Sequence, residues 1–130
     1  MGLKSRTKGK VGERKAVLYL KELGFKDARR RQQSSGQNAA EVECLESLPN
    51  VHLEIKYGYG KGLGPGLSVL AKACIQASSD CGAREWAVLW REKGTAVWKL
   101  TLPSPNGIGV ATYAGDDDIE RNLVWLNGTR

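Results

Sequence analysis

The sequence predicts a single α/β domain with a central mixed five-stranded sheet flanked by helices, in the order helix, three strands, helix, two strands. Three observations predict it. Apolar residues recur at helical spacing from Val11 to Leu23 and again from Leu67 to about Cys81. Between these stretches, Val51 to Lys56 alternates strictly between apolar and polar residues, the period of a strand. The length, 130 residues with 41% hydrophobic, suits one domain over residues 1–130 and leaves little for a second.

Residues 1–9 mix Gly, Lys, Arg, Ser and Thr and read as a flexible basic arm. In the helix that follows, Ala16, Val17, Leu20 and Leu23 share one face with Glu13, and Gly24 stands where a C-cap glycine belongs. Three strand-like segments come next, over 27–31, 42–45 and 51–56, separated by polar turns at Ser34 to Asn38 and at Pro49-Asn50. In the third, Val51, Leu53 and Ile55 point one way while His52, Glu54 and Lys56 point the other. From Gly58 to Gly66 every second residue is glycine, which predicts a loop beside a cleft. That loop lacks the GK[ST] ending of a P-loop, so an NTPase is excluded.

The second helix buries Leu67, Leu70, Ala71, Cys74 and Ala77 or Ser78 and sets Lys72, Gln76 and Asp80 on another face, with Gly82 as its stop. Trp86 to Arg91 and Ala96 to Leu100 read as a hairpin turning at Gly94. Residues 103–130 form a C-terminal extension packed on the core or on a second subunit. Within it, Asp116, Asp117 and Asp118 suit a helix N-terminus, and Ile119, Leu123 and Leu126 suit one face. Trp86, Trp90 and Trp98 read as core or sheet-covering residues. Trp125 is expected against the sheet or a second subunit.

Three cysteines, Cys44, Cys74 and Cys81, form no CxxC pair and leave an odd count, which argues against a disulfide framework and a structural zinc site. Reduced, mostly buried thiols in a cytoplasmic protein are expected. No run approaches the ~18 apolar residues of a membrane span. The net charge is +6, from 20 Lys+Arg against 14 Asp+Glu. Such an excess favours a polyanionic partner, because phosphate contacts release counterions. The candidate contacts are Lys4, Arg6, Lys8, Lys10 and Arg14 at the start, the run Arg29, Arg30 and Arg31, and Lys61 and Lys72 beyond it.

Cleaving a phosphodiester needs a metal held by carboxylates, an aimed water and positive charge where the transition state gathers negative charge. Glu54-Ile55-Lys56 supplies a carboxylate and an ammonium on one face of one strand. Glu41, ending the preceding loop, supplies a second carboxylate. Glu43 competes with it, and Glu41 ranks first for its spacing from Glu54. Hard oxygen ligands of this kind suit Mg²⁺ or Mn²⁺.

These residues resemble the PD-(D/E)XK nucleases, and among them the small phage-type Holliday-junction resolvases and VRR-type nucleases. The resemblance runs from Gly12 to about Trp98. Gly12-Glu13-Arg14 followed by Tyr19-Leu20 and Leu23-Gly24-Phe25 looks like the family's opening helix. Arg30 to Gly36 looks like its basic approach to the site. Ala39-Ala40-Glu41-Val42 stands where the family has a Pro-Asp pair, Leu53-Glu54-Ile55-Lys56 matches its apolar-acid-x-Lys strand, and Gln76-Ala77 falls in the helix that follows. Ala40 and Glu41 depart from the pattern, and the longer carboxylate shifts the ligand by about a bond length or changes its rotamer.

The resemblance implies a restriction-endonuclease-like core and a Mg²⁺- or Mn²⁺-dependent endonuclease acting on branched DNA in recombination, repair or phage DNA processing. It implies that Glu41, Glu54 and the Ile55 backbone carbonyl bind the metal and that Glu13 completes its shell. It further implies that Lys56 positions the attacking water, Gln76 orients Lys56 or a phosphate, Ser34 or Ser35 contacts the scissile strand, and the protein is a homodimer. Two alternatives stand beside this: a nuclease of the same fold acting on flaps, nicks or duplex ends, and a DNA-binding module that has lost its chemistry.

Overall fold

The structure is a computed structural model describing residues 2–31, 41–59, 66–92 and 94–128, with side chains described except at 2–9, 59 and 66–69. In chain order the elements are α1 (Gly2–Glu22), β1 (Arg29–Arg30), β2 (Val42–Glu43), β3 (Val51–Tyr59) and α2 (Gly66–Asp80). They continue with β4 (Glu85–Glu92), β5 (Trp98–Pro103), β6 (Val110–Ala114) and α3 (Asp116–Asn127). The six strands form one sheet in their sequence order. Only β3 and β4 run parallel, and the other neighbours are antiparallel. Connection length explains the mixture, since a parallel pair needs a crossover and α2 supplies it, whereas shorter links allow antiparallel neighbours.

The helices cover both faces of the sheet, which gives three layers. On one face, Ala16, Tyr19 and Leu20 of α1 and Ile119, Leu123 and Leu126 of α3 pack with Val51, Leu53 and Ile55 of β3 and with Leu89, Leu100 and Leu102. On the other, Ala73 and Ala77 of α2 pack against Val88 and Trp90, with Leu70, Cys74 and Trp86 beside them. Small residues on α2 let the helix approach β4 closely. The apolar stripe of α1 also brings Gly12 against β3, where an added Cβ would lie 2.5 Å from the Cβ of Tyr57.

The ends of α1 and α3 show how local chemistry stops a helix. Gly24 takes φ 110° after α1, a conformation costly for any residue with a Cβ, and its N–H bonds the carbonyl of Lys21 at 3.0 Å. Before α3, Gly115 takes φ 101°. Asp116, Asp117 and Asp118 then occupy its first turn, where the helix dipole favours acids. Asp27 fixes the turn between β2 and β3 by accepting from the N–H of Glu46 at 2.7 Å, the N–H of Ser47 at 3.1 Å and the Ser47 hydroxyl.

Two sequence expectations change, and two others are narrowed. The sheet has six strands, not five, because Val110–Ala114 pairs along β5 in full register. Helix α1 begins at Gly2, so residues 2–9 continue the helix that was expected to follow an arm. Lysine, arginine and leucine are good helix formers, and extending a nucleated helix is far easier than starting one. Of the two placements expected for the extension after Pro103, packing on the core is the one seen, since Ile119 and Leu123 are fully buried. Of the two places expected for Trp125, the sheet is not taken, because the residue is 43% exposed on α3.

The three cysteines are free thiols, Cys44 buried and the other two half-buried. Burial, with the Asp27 charge behind it, pushes the Cys44 thiol up to about 12. Among the described residues no helix is long and apolar enough to cross a membrane.

Candidate functional site

The site grows from the two faces of β3. Val51, Leu53 and Ile55 enter the apolar core under α1. His52, Glu54 and Lys56 therefore face the α2 side, where their register partners on β4 are Trp86, Val88 and Trp90. Covered by the sheet below and by α2 beside it, Glu54 is 8% exposed and His52 is fully buried. Lys56, nearer the strand end, is half-buried.

Strand β2 brings the second carboxylate. Val42 pairs with Leu53, which sets Glu41 beside Glu54 one step along the antiparallel ladder. The backbone N–H of Ile55 donates to Glu41 Oε1 at 2.7 Å, so the side chain lies across β3 between Glu54 and Lys56 in sequence. Burial and the Glu54 charge raise the Glu41 carboxyl to about 7, with a smaller push from Glu13 and opposing pulls from the Ile55 N–H and the Lys56 ammonium. Glu13, Glu41, Glu54 and Lys56 thus share one electrostatic neighbourhood.

Glu43, two residues on, has a different setting. It is 4% exposed and accepts from Arg29 Nε at 2.8 Å and Arg31 Nη1 at 3.2 Å. Both guanidiniums reach it because Arg29 pairs with Glu43 across β1 and β2 and Arg31 follows on the same face. Arg30, the odd member of the run, points to the opposite face and donates to Glu13 Oε1 at 3.0 Å. The run Arg29 to Arg31 is therefore divided by strand alternation between two internal acids. The bond to Arg30 also fixes how Glu13 sits at the start of the buried stripe of α1.

The remaining expected residues are scattered. Gln76 lies on the exposed side of α2 and donates to Asp80 at 2.5 Å, and Lys72 is exposed one turn earlier. Lys10 and Arg14 are exposed on α1. Ser34, Ser35 and Lys61 lie outside the described residues, as do the side chains of Lys4, Arg6 and Lys8. The N–H of Ile55, whose carbonyl is the expected metal ligand, holds Glu41.

Among the described residues no group of three or more His, Cys, Asp or Glu side chains is arranged to hold a metal ion. The donor set is the carboxylate pair Glu41 and Glu54. Mg²⁺ keeps several waters and commonly takes only one or two carboxylates, so this pair fits such an ion. Burial raises Glu41 most and the Glu54 charge next, and a divalent cation would offset both.

Two features escaped the sequence reading. A cleft of about 310 Å³ on the α1 face is lined by Lys15, Tyr19, Arg91, Trp98 and Asp116 among others. Tyr19 stacks on Trp98 at 5.6 Å between ring centres and donates from its hydroxyl to Asp116 at 2.8 Å. Arg91 lies over Tyr57 and Trp98, with its carbon 5.6 and 5.8 Å from their ring centres. These residues are remote in sequence and no spacing rule joins them. The other feature is His52, whose two ring nitrogens have no hydrogen-bond partner among the described residues. Its position two residues before Glu54 was a readable signal.

No family model matches the chain, and no curated protein or solved structure matches it. The functional reading therefore rests on the residues.

Proposed function

We propose that the protein is a divalent-metal-dependent endodeoxyribonuclease of the PD-(D/E)XK type, with a restriction-endonuclease-like core, that hydrolyses phosphodiester bonds in branched DNA. One observation carries the reading. Glu41, held by the Ile55 N–H at 2.7 Å, is raised to about 7 by burial and by the charge of Glu54, in a field that also includes Lys56. Two acids on neighbouring strands, Glu54 buried and Glu41 half-buried, keep their charge cheaply only beside a cation.

In this reading Glu41 and Glu54 would hold Mg²⁺ or Mn²⁺, with the Ile55 carbonyl as a further oxygen. When bound, such an ion would supply the charge that polarises the phosphate and activates a water. Lys56 holds that water in line and offsets the charge gathering on the phosphate. Glu13 acts at one remove, through its charge, with Arg30 fixing its carboxylate. Glu43 is already neutralised by Arg29 and Arg31, which favours Glu41 as the ligand. Lys10, Arg14 and Lys72, exposed around the domain, grip backbone phosphates, and a homodimer carries two such sites for paired cuts.

Cleavage of labelled four-way junctions, flaps and linear duplex with Mg²⁺ or Mn²⁺ tests the proposal. Metal-dependent cutting of the junction, lost in Glu54→Ala and Lys56→Ala, is expected. Equal rates on all three substrates would remove the preference for branched DNA and leave the nuclease. A wild-type chain that binds DNA and cuts none of them would favour the DNA-binding module, a reading that the replacement of the Pro-Asp pair by Ala40-Glu41 keeps in view.

A further inference from the structure

We propose that His52 is a positioning residue for Glu54, its Nε2–H donating to Glu54 Oε1 so that the other carboxylate oxygen is left for the cation. The inference rests on the reading of Glu41 and Glu54 as a metal-binding pair.

His52 is fully buried. Its side chain is 0% accessible, and neither Nδ1 nor Nε2 has a hydrogen-bond partner among the described residues. A neutral imidazole always carries one N–H, and an orphaned buried donor costs about 1–3 kcal/mol. Packing alone does not call for this side chain. Its register partner on β4 is Trp86, the α2 side of the sheet carries the apolar cluster of Ala73, Ala77, Val88 and Trp90, and an aliphatic residue of similar size would carry no such penalty there. Strand β3 nevertheless holds a histidine there.

One acceptor close by identifies what the donor is for. Nε2 lies 3.7 Å from Glu54 Oε1, on the same face and one strand period away. That distance is longer than the roughly 2.9 Å of a made bond, so the proposal asks the pair to close by less than an ångström. Other acceptors on this face are committed, because Glu43 is clamped by Arg29 and Arg31, and Glu41 accepts from the Ile55 N–H. Glu54 alone among these three acids has no guanidinium or backbone donor among the described hydrogen bonds. Orienting partners of this kind hold a ligating carboxylate in the rotamer the ion requires, and losing one typically weakens metal binding about 10–100-fold.

Because His52 is the chain's single histidine, its imidazole can be read without assignment ambiguity. In the full-length wild-type protein, long-range ¹H–¹⁵N spectra before and after Mg²⁺ addition should show the Nε2–H tautomer, with its proton moved downfield and protected from exchange by the metal. A pure Nδ1–H tautomer, whether metal is absent or present, would overturn the proposal, since Nε2 would then be an acceptor or a ligand.

Mn²⁺ titration followed by water-proton relaxation, without DNA, supplies the second arm. His52→Leu should bind Mn²⁺ about 10-fold or more weakly, while His52→Gln, whose amide can donate near the Nε2 position, should recover most of the affinity. The melting temperature of His52→Leu should be unchanged or raised, which a merely structural histidine would not show. Wild-type affinity in a folded His52→Leu would sink the inference and leave the nuclease reading intact. Absence of Mn²⁺ binding by the wild type would sink both.

Discussion

The two faces of β3 are built from alternate residues of one strand and do opposite things. Val51, Leu53 and Ile55 lie under α1 in a continuous apolar core. His52, Glu54 and Lys56 lie on the α2 side, where two of them are buried with their polar atoms. The α1 face is locally consistent, every side chain matching its surroundings. The α2 face is locally frustrated, and such conflict between a buried position and a polar residue is where function is expected.

That contrast predicts different losses on the two faces. On the polar face, Glu54→Ala or Lys56→Ala should lower the rate of junction cleavage by at least about 10³-fold, with most DNA binding and the melting temperature kept. Gel cleavage and band-shift assays on the same preparations measure both. A comparable loss of stability would show that this face is packing after all. On the apolar face, Leu53→Ala should destabilise by about 2–5 kcal/mol in urea unfolding, because Leu53 is 1% exposed and leaves a cavity. Near-neutral behaviour would break the assignment of that face to the core.

Smaller effects sharpen the boundary between the faces. Gly12→Ala should cost about 1–3 kcal/mol, since its new Cβ would stand 2.5 Å from Tyr57 Cβ, which belongs to a strand and cannot swing aside. Wild-type stability in this variant would mean that α1 and β3 are not held at this approach.

The smallest effect is a pH dependence in the metal-free protein. The Glu41 carboxyl is raised by burial and the Glu54 charge from 4.5 to about 7, so the folded chain keeps a proton that the unfolded chain releases between these values. The contribution of Glu41 to stability must therefore fall as pH rises from 4.5 to about 7 and level off above it. Glu41→Gln should flatten that slope and be the more stable protein at pH ~8. An unchanged slope in Glu41→Gln would assign the titration elsewhere.

Much of this arrangement was legible in the residues. The Ala16–Leu20–Leu23 stripe, Gly24 as a stop, the alternation of Val51 to Lys56 and the three aspartates ahead of Ile119 each express a backbone period or a cap, which sequence displays directly. Strand β6 was missed because it is an edge strand whose residues alternate between exposed and half-buried, so no apolar pattern marks it. The ion pairs were missed for another reason. Arg29 to Arg31 looked like one basic patch, and only pairing with β2 shows that two of them serve Glu43 and one serves Glu13. The closeness of Glu41 to Glu54 followed from the hairpin, whereas the state of Glu41 depended on burial that no spacing reveals.

The central claim is that Glu41, and not its neighbour Glu43, shares one cation with Glu54. Mn²⁺ titration of Glu41→Gln and Glu43→Gln beside the wild type tests it most directly. The account predicts that Glu41→Gln loses at least about 10-fold in affinity while Glu43→Gln keeps the wild-type value. Strong binding in Glu41→Gln together with its loss in Glu43→Gln would contradict it.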